Sequence, residues 1–247
     1  MNASEKEELY DLIKCASGNF YGYTVPVFMN KPVFSDDIQT DNKIEECSSS
    51  ITLENICQKI SECHRCPLHS TRKNVVPGMG IKNSPVLVIG EAPGEEEDNS
   101  GLPFVGQAGQ LLDKMLAAIQ LDRNRNCYIA NVVKCRPPYN RDPKQEETEA
   151  CKSFLDAQIN ILKPKLILAL GKVAVKNLLN IPEEFSLNKY RQKIFEYNHV
   201  PMIVTYHPSA LLRNIEFKKP AWEDLKFFKA ELEKIEPDYN KNYQEVK

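Results

Sequence analysis

Four short apolar runs, rich in branched side chains, recur along the chain without polar alternation. Such runs are typical of strands that are buried on both faces of a parallel sheet. Stretches between them carry apolar residues every three or four positions, which is the spacing of one face of a helix. The pattern predicts a three-layer α/β/α sandwich around a four-stranded parallel sheet. The predicted strands are Val86–Ile89, Tyr128–Val133, Leu166–Leu170 and Met202–Thr205.

Helical spacing predicts the elements that connect and follow these strands. Apolar positions indicate helices over Leu111–Ile119, Val173–Leu179 and Trp222–Ile235. A further helix should run to Leu162, with Asp142 as its N-cap and Pro143 as its first residue. The carboxyl ends of parallel strands form the ligand-binding edge of such sheets, so we expect functional residues in the loops after the strands.

The first 50 residues differ from the rest of the chain. A capping-box pair, Ser4 and Glu7, predicts a short opening helix, and the Gly- and Pro-containing stretch from Ser17 to Ser50 predicts a linker. This segment holds nine acidic and four basic residues, whereas the remainder holds 25 acidic and 28 basic residues. We therefore predict an acidic extension over 1–50, one domain over 51–236 and a frayed tail over 237–247.

Composition excludes several classes of protein. With 42% hydrophobic and 27% charged residues, the chain of 247 residues is neither fibrous nor wholly disordered. No apolar run approaches the roughly 20 residues that a membrane span needs, and the N-terminus does not resemble a targeting peptide. We predict a cytoplasmic protein with no membrane partner. A net charge of −2 neither requires nor excludes binding to nucleic acid.

Eight cysteines in a chain without an export signal argue against a disulfide framework and favour ligands or core residues. Cys63 and Cys66 form a C-x-x-C pair, and Cys135 and Cys151 follow later. Four thiolates suit either zinc or a 4Fe-4S cluster. The lack of a second tight pair favours iron and sulfur, but burial of Cys135 and Cys151 as simple core residues stays open. Among the other cysteines, Cys57 is the one that could compete.

Two loops at predicted strand ends carry candidate chemistry. The loop after the first strand runs Gly90-Glu91-Ala92-Pro93-Gly94 and continues into an acidic stretch that ends at Asp98. So many carboxylates would repel a phosphate, and the stretch is either a solvated turn or a site for developing positive charge or an oriented water. His207 follows the last strand and precedes Pro208, so it should point into a cleft, with Ser209 capping a short helix.

These segments together resemble the family 4 uracil-DNA glycosylases from about Ile56 to about Phe228. The matching motifs are Cys63-x-x-Cys66, Gly90 to Asp98, Pro103-Phe104-Val105-Gly106, Asn131 to Pro138, Cys151 and His207 to Arg213. The resemblance implies that Cys63, Cys66, Cys135 and Cys151 hold one structural 4Fe-4S cluster. It also implies an enzyme that flips uracil out of single- or double-stranded DNA and cleaves its N-glycosidic bond, initiating base excision repair. No lysine in the motifs is an obvious Schiff-base nucleophile, so we expect a monofunctional glycosylase.

The resemblance assigns roles within the substrate pocket. Phe104 would stack on uracil, Asn131 would read its Watson-Crick edge, and His207 would donate a hydrogen bond to O2. Glu91 would support the positive sugar and position the water, because this chain has Ala92 and Gly94 where family 1 enzymes have an Asp and a Tyr. Glu97 would exclude the thymine methyl group. The substrate-binding set comprises Gly90, Ala92, Glu97, Phe104 and Asn131, and the catalytic set His207 and Glu91.

DNA contacts are expected around the same loops. Leu211 or Leu212 would enter the duplex as a wedge, although one of them could equally belong to a buried helix face. Arg136, Arg141, Lys172 and Arg213 would contact phosphates. We expect a monomer that passes its product to base-excision repair proteins. Three alternatives stay open: a non-catalytic iron-sulfur module that binds DNA or senses damage, a glycosylase for another deaminated base, and an α/β domain with structural zinc.

Overall fold

The computed structural model describes residues 52–181 and 185–241. The predicted opening helix and linker lie outside these residues. In chain order the strands are β1 (Met79–Gly80), β2 (Val86–Gly90), β3 (Cys127–Asn131), β4 (Leu166–Leu170), β5 (Ile194–Tyr197) and β6 (Val200–Thr205). The helices are α1 (Leu53–Ser61), α2 (Glu95–Ser100), α3 (Gln107–Ala117), α4 (Gln145–Leu162), α5 (Gly171–Leu179), α6 (Pro208–Arg213) and α7 (Lys218–Ile235).

The strands form one sheet in the order β1-β3-β2-β4-β6-β5. The inner four strands pair in parallel and correspond to the four predicted ones. The prediction of a four-stranded parallel sheet is nevertheless wrong, because β1 and β5 add antiparallel edges and make the sheet mixed and six-stranded. Both edge strands are short and not fully buried, so they lack the apolar runs that marked the inner strands.

The core lies on both faces of the inner sheet. Every residue of β2, β3 and β4 is buried, so side chains pointing to either face are covered. This burial explains why the strands carry no polar alternation. Parallel pairing brings Gly90 of β2 level with Asn131 of β3, and Leu170 of β4 level with Thr205 of β6. The loops that follow these residues therefore meet at one edge of the sheet.

Two predicted helix starts are wrong in detail. Helix α4 begins at Gln145 with Lys144 as its N-cap, rather than at Pro143 with Asp142. The Glu147 carboxylate accepts from the Lys144 backbone N–H and stabilises this start. Helix α6 is capped by His207 instead of Ser209, because the His207 ring nitrogen accepts from the Ser209 backbone N–H.

The C-terminal segment is ordered further than the sequence predicts. Tyr239 is buried, and its hydroxyl donates to the carbonyl of Ile119 at 2.9 Å. Asn126 in turn donates from its side chain to the carbonyl of Tyr239. The expected fraying therefore does not apply at Tyr239. Across the described part of the chain, no helix is long and apolar enough to cross a membrane.

Candidate active site and cysteine cavity

A cleft of about 630 Å³ opens at the carboxyl edge of the inner strands. Its walls come from the loops after β2, β3, β4 and β6, as expected for a sheet of this kind. The structure thus brings together residues that are more than 100 positions apart in sequence. Those from the predicted substrate and catalytic sets are Glu91, Ala92, Glu97, Phe104, Asn131 and His207.

Asn131 and Phe104 are buried residues that line this cleft, and Gly90 lies beside them. Asn131 is 1% exposed, and its side-chain Oδ1 is buried without a hydrogen-bond partner. A Cβ atom at Gly90 would lie 2.4 Å from that oxygen and 2.5 Å from Cζ of Phe104. Only glycine fits there. Because a buried acceptor without a partner is costly, Asn131 is suited to a ligand that donates an N–H group.

The Phe104 loop is held by two charged side chains. Glu97 accepts from the backbone N–H groups of Val105 and Gly106 through Oε1 and from that of Gly94 through Oε2, at 2.9 to 3.0 Å. Arg123 donates to the carbonyls of Pro103 and Phe104 at 2.8 and 2.9 Å. These bonds hold Phe104 in a left-handed backbone conformation, with φ of 53°. The ring is thereby fixed in place before any ligand binds.

His207 is a neutral hydrogen-bond donor in this environment. Burial and the nearby Arg213 lower its pKa from 6.5 to about 4. The Ser209 backbone N–H donates to Nδ1 at 3.2 Å, and the Ser209 hydroxyl lies 2.8 Å from the same atom. A neutral imidazole with Nδ1 as acceptor carries its hydrogen on Nε2. The ring centroids of His207 and Phe104 are 5.6 Å apart, so this donor lies beside the aromatic wall.

Glu91 is the cleft carboxylate with the strongest change in acidity. Burial, and then the charge of Asp142, raise its pKa from 4.5 to about 7. A carboxylate that is poorly solvated interacts strongly with positive charge placed next to it. Glu97, by contrast, uses both oxygens to bind loop amides. Its described contacts are thus those of a residue that joins two loops.

The basic residues expected to contact DNA differ in their position relative to the cleft and in the protein groups that they bind. Arg141, Lys172 and Arg213 line the cleft, whereas Arg136 does not. Arg141 makes a two-pronged ion pair with Glu147, with distances of 2.8 and 2.6 Å, and so supports the loop before α4. Arg136 bonds to the side chain of Asn140 at 2.8 Å. Lys172 and Arg213 are exposed at the cleft.

Leu211 and Leu212 differ clearly in how far their side chains are exposed. Leu211 is 3% exposed and belongs to the hydrophobic core, so it is the leucine of the pair that lies on a buried helix face. The helical turn of α6 that buries Leu211 presents Leu212 on the outside, where it is 49% exposed. Of the two, only Leu212 is placed to meet DNA without unfolding of the helix.

The four predicted ligand cysteines line a second, small cavity. Cys63, Cys66, Cys135 and Cys151 all contribute to it, and all are free thiols. Cys57 does not line it, and Cys127 is buried at the start of β3. Arg72 donates to the sulfur of Cys135 at 3.1 Å. Over residues 52–181 and 185–241, no group of three or more His, Cys, Asp or Glu side chains forms a site for a metal ion.

Sequence reasoning missed two residues that shape the cleft. Arg123 lies in a polar segment without a motif, and its role depends on carbonyls about 20 positions away. Lys134 lies within a matched motif and looks like another DNA-binding lysine, but it is 1% exposed. Its position directly after an apolar strand, between Val133 and Cys135, was the available signal of burial.

Comparison with known proteins agrees with this geometry. The model of the uracil DNA glycosylase superfamily matches residues 77–226. A type-4 uracil-DNA glycosylase of Archaeoglobus fulgidus is 40% identical over 181 residues, which cover 71% of this chain and 90% of that protein. Those of Pyrobaculum aerophilum and Thermotoga maritima are each 42% identical, covering 71% and 74% of this chain and 92% and 95% of theirs. The chain therefore belongs to the uracil DNA glycosylase superfamily.

Proposed function

We propose that this protein is a monofunctional uracil-DNA glycosylase that removes uracil from DNA and starts base excision repair. The observation that carries the proposal is the buried Oδ1 of Asn131, which has no partner and lies beside Phe104 in the cleft. Uracil offers an N3–H group to that oxygen and O4 to the amide N–H. Cytosine has no N3–H and carries an amino group at position 4, so it would leave buried polar atoms unpaired.

Bond cleavage follows from the donors and acceptors around the base. The C1′–N1 bond breaks, its electron pair moves onto uracil, and negative charge develops on O2. The Nε2–H of neutral His207 stabilises that charge by a hydrogen bond. Ionised Glu91 stabilises the positive sugar and orients the water that adds to C1′. The proton that this water loses ends on the uracil anion, so the products are neutral uracil and the abasic sugar. Because these groups are held in a poorly hydrated cleft, their interaction with the transition state is strong.

The DNA lies across the mouth of the cleft in this proposal. Lys172 and Arg213 contact phosphates directly, while Arg136 and Arg141 act mainly through the loop that they stabilise. Leu212 fills the space that the extruded nucleotide leaves in the duplex. Phosphate contacts of this kind make binding salt-dependent but independent of sequence. The enzyme acts as a monomer, and downstream repair proteins then process the abasic site.

We further infer that Cys63, Cys66, Cys135 and Cys151 hold a 4Fe-4S cluster. Four thiols lining one cavity, with no carboxylate among them, are the donor set that iron-sulfur clusters use. Burial raises the pKa of the Cys151 thiol to about 11, so a ligating thiolate there needs positive charge beside it. Bound iron would supply that charge, in addition to the nearby Lys134 ammonium. When bound, the cluster fixes the segments around Cys63 and Cys135 and takes no part in bond cleavage.

The test of the activity is alkali-revealed cleavage of a labelled oligonucleotide that contains one uracil. We expect strand scission at uracil and none at thymine in the same position. His207→Ala should lower the single-turnover rate by about 10²- to 10³-fold, the usual effect of losing one such donor. His199→Ala is the matched control, since the His199 side chain is 99% exposed. Intact DNA with folded wild-type protein would favour the non-catalytic module instead.

The test of the cluster is the iron content and visible absorbance of protein purified under low oxygen. We expect about four irons per chain and a brown colour in the wild type. Cys151→Ala should lose both, whereas Cys57→Ala should keep both because Cys57 lies outside the cavity. Stoichiometric zinc without colour would overturn the cluster in favour of structural zinc. A cluster-free variant with full stability and activity would overturn the structural role.

A further inference from the structure

Lys134 is a fully buried cation that the proposed reaction does not use. Its side chain is 1% exposed, among the largest wholly buried side chains in the described part of the protein. The ammonium donates to the backbone carbonyl of Asn131 at 2.7 Å and to Oε1 of Gln158 at 2.7 Å. Burying a lysine is costly unless strong hydrogen bonds compensate. The groups that its ammonium contacts therefore indicate why a lysine is buried at this position.

The contacts extend beyond Lys134 to a fixed point in the fold. Gln158 is buried in helix α4, and its side-chain N–H donates to the carbonyl of Pro77 at 2.7 Å. The amide thus accepts from Lys134 with its oxygen and donates to Pro77 with its nitrogen. The backbone of Lys134 is also held, since its carbonyl accepts from the Val76 N–H at 2.8 Å. The Lys134 ammonium is therefore anchored to helix α4 as well as bonded to Asn131.

Asn131 needs such an anchor because it stands where the chain leaves strand β3. Beyond it, the backbone N–H groups of Val132 and Val133 bond to the carbonyls of Gly90 and Glu91, at 2.9 and 3.1 Å. The Asn131 carbonyl accepts a hydrogen bond from the Lys134 side chain, and this bond closes the bend over residues 131–134. The orientation of this residue decides where its amide meets a base.

We propose that Lys134 is a positioning residue for base recognition, which fixes the Asn131 amide through the Asn131 backbone carbonyl. The inference rests on the proposed function, since it concerns the side chain that would read uracil. A misplacement of about 1 Å in a positioned group can lower a rate by about 10²-fold. Loss of the ammonium should therefore weaken the recognition of uracil itself, and leave the binding of ordinary DNA unchanged.

The test compares Lys134→Met, which keeps an unbranched chain but removes the donors, with Lys165→Met, an exposed lysine at the other end of the sheet. We expect Lys134→Met to raise the inhibition constant of free uracil and to lower kcat/KM on uracil-containing DNA, each by about 10- to 100-fold. The affinity for uracil-free DNA should stay within about twofold. A purely structural lysine would lower only the active fraction and leave the inhibition constant unchanged.

Lys134→Arg supplies the rescue, because it keeps the charge and several N–H donors. It should bind free uracil more tightly than Lys134→Met does. If Lys134→Met does not fold, Lys134→Gln is measured in the same way and should also bind uracil weakly. A folded variant with wild-type uracil inhibition, or failure of both Met and Gln variants to fold, would overturn the inference. Inactive wild-type protein would instead count against the proposed function.

Discussion

The segment that follows β3 lines both the active-site cleft and the cysteine cavity. The two sites differ in how the hydrogen-bonding groups of their residues are satisfied. In the cleft, Glu97 and Arg123 satisfy the loop backbone, while Oδ1 of Asn131 is left without a partner. In the cavity, four free thiols come together with Arg72. The cleft is thus prepared for a ligand that forms hydrogen bonds, and the cavity for a group bound through sulfur. Substitutions in one site should therefore change its function without changing the other site.

The largest expected effect breaks the cleft and spares the cavity. In Gly90→Ala, the added methyl group would overlap Oδ1 of Asn131 and the Phe104 ring, so both must move. We expect uracil excision to fall by more than about 100-fold in single-turnover assays, with unchanged iron content. Gly106→Ala is the control, because its methyl would meet only the flexible end of Glu96. Iron loss in Gly90→Ala would show that the two sites are not separable.

A smaller effect concerns pH and sharpens the electrostatic side of the comparison. The pKa of Glu91 is raised to about 7, so its ionised fraction increases about tenfold between pH 6 and pH 8. If ionised Glu91 stabilises the sugar cation, the single-turnover rate should rise by a similar factor over this range. His207, with a pKa lowered to about 4, stays neutral throughout and adds no slope.

Glu91→Gln should be slower and should lose this pH dependence, whereas the exposed Glu96→Gln should retain it. The measurement is a set of single-turnover rates at fixed ionic strength, which keeps phosphate binding constant. A slope that persists in Glu91→Gln would assign the titration to another group.

The smallest effect on excision tests the rim of the cleft. Leu212→Ala should reduce excision from duplex DNA several-fold, with little change on single strands or in the free energy of unfolding, since Leu212 is half exposed. Leu211→Ala should instead lower the free energy of unfolding by about 2–5 kcal/mol, because it removes a buried side chain. Denaturant unfolding measures the free energy of unfolding, and excision assays on duplex and single-stranded substrates measure the activity. Equal loss of stability in the two variants would contradict this division.

Local sequence patterns were sufficient to predict features that depend on a single strand or helix. The ends of the inner strands were predicted within two residues, and the overshoot at β3 consists of Val132 and Val133. Strands β1 and β5 were missed because short, partly exposed edges lack a continuous apolar run. The family motifs predicted the residues that meet in the cleft, since strand ends of a parallel sheet share one edge.

Contacts between distant segments could not be predicted from the same patterns. The burial of Leu211 rather than Leu212 depends on how α6 docks, which neighbouring leucines do not reveal. Arg141 looked like a free phosphate contact until its ion pair with Glu147 was visible. Lys134 lies inside a matched motif, and its local pattern does not reveal the two hydrogen bonds that hold its side chain inside the protein. Side-chain partners depend on tertiary structure.

The close contact of Gly90 with Asn131 and Phe104 has a consequence for sequence divergence. Because the three residues compete for the same volume, the effect of changing one depends on which residues occupy the other two positions. Mutational effects there should be strongly epistatic. A larger residue at position 90 becomes tolerable only after smaller side chains have replaced both Phe104 and Asn131, and that order of steps restricts the routes by which this pocket can acquire specificity for a different base.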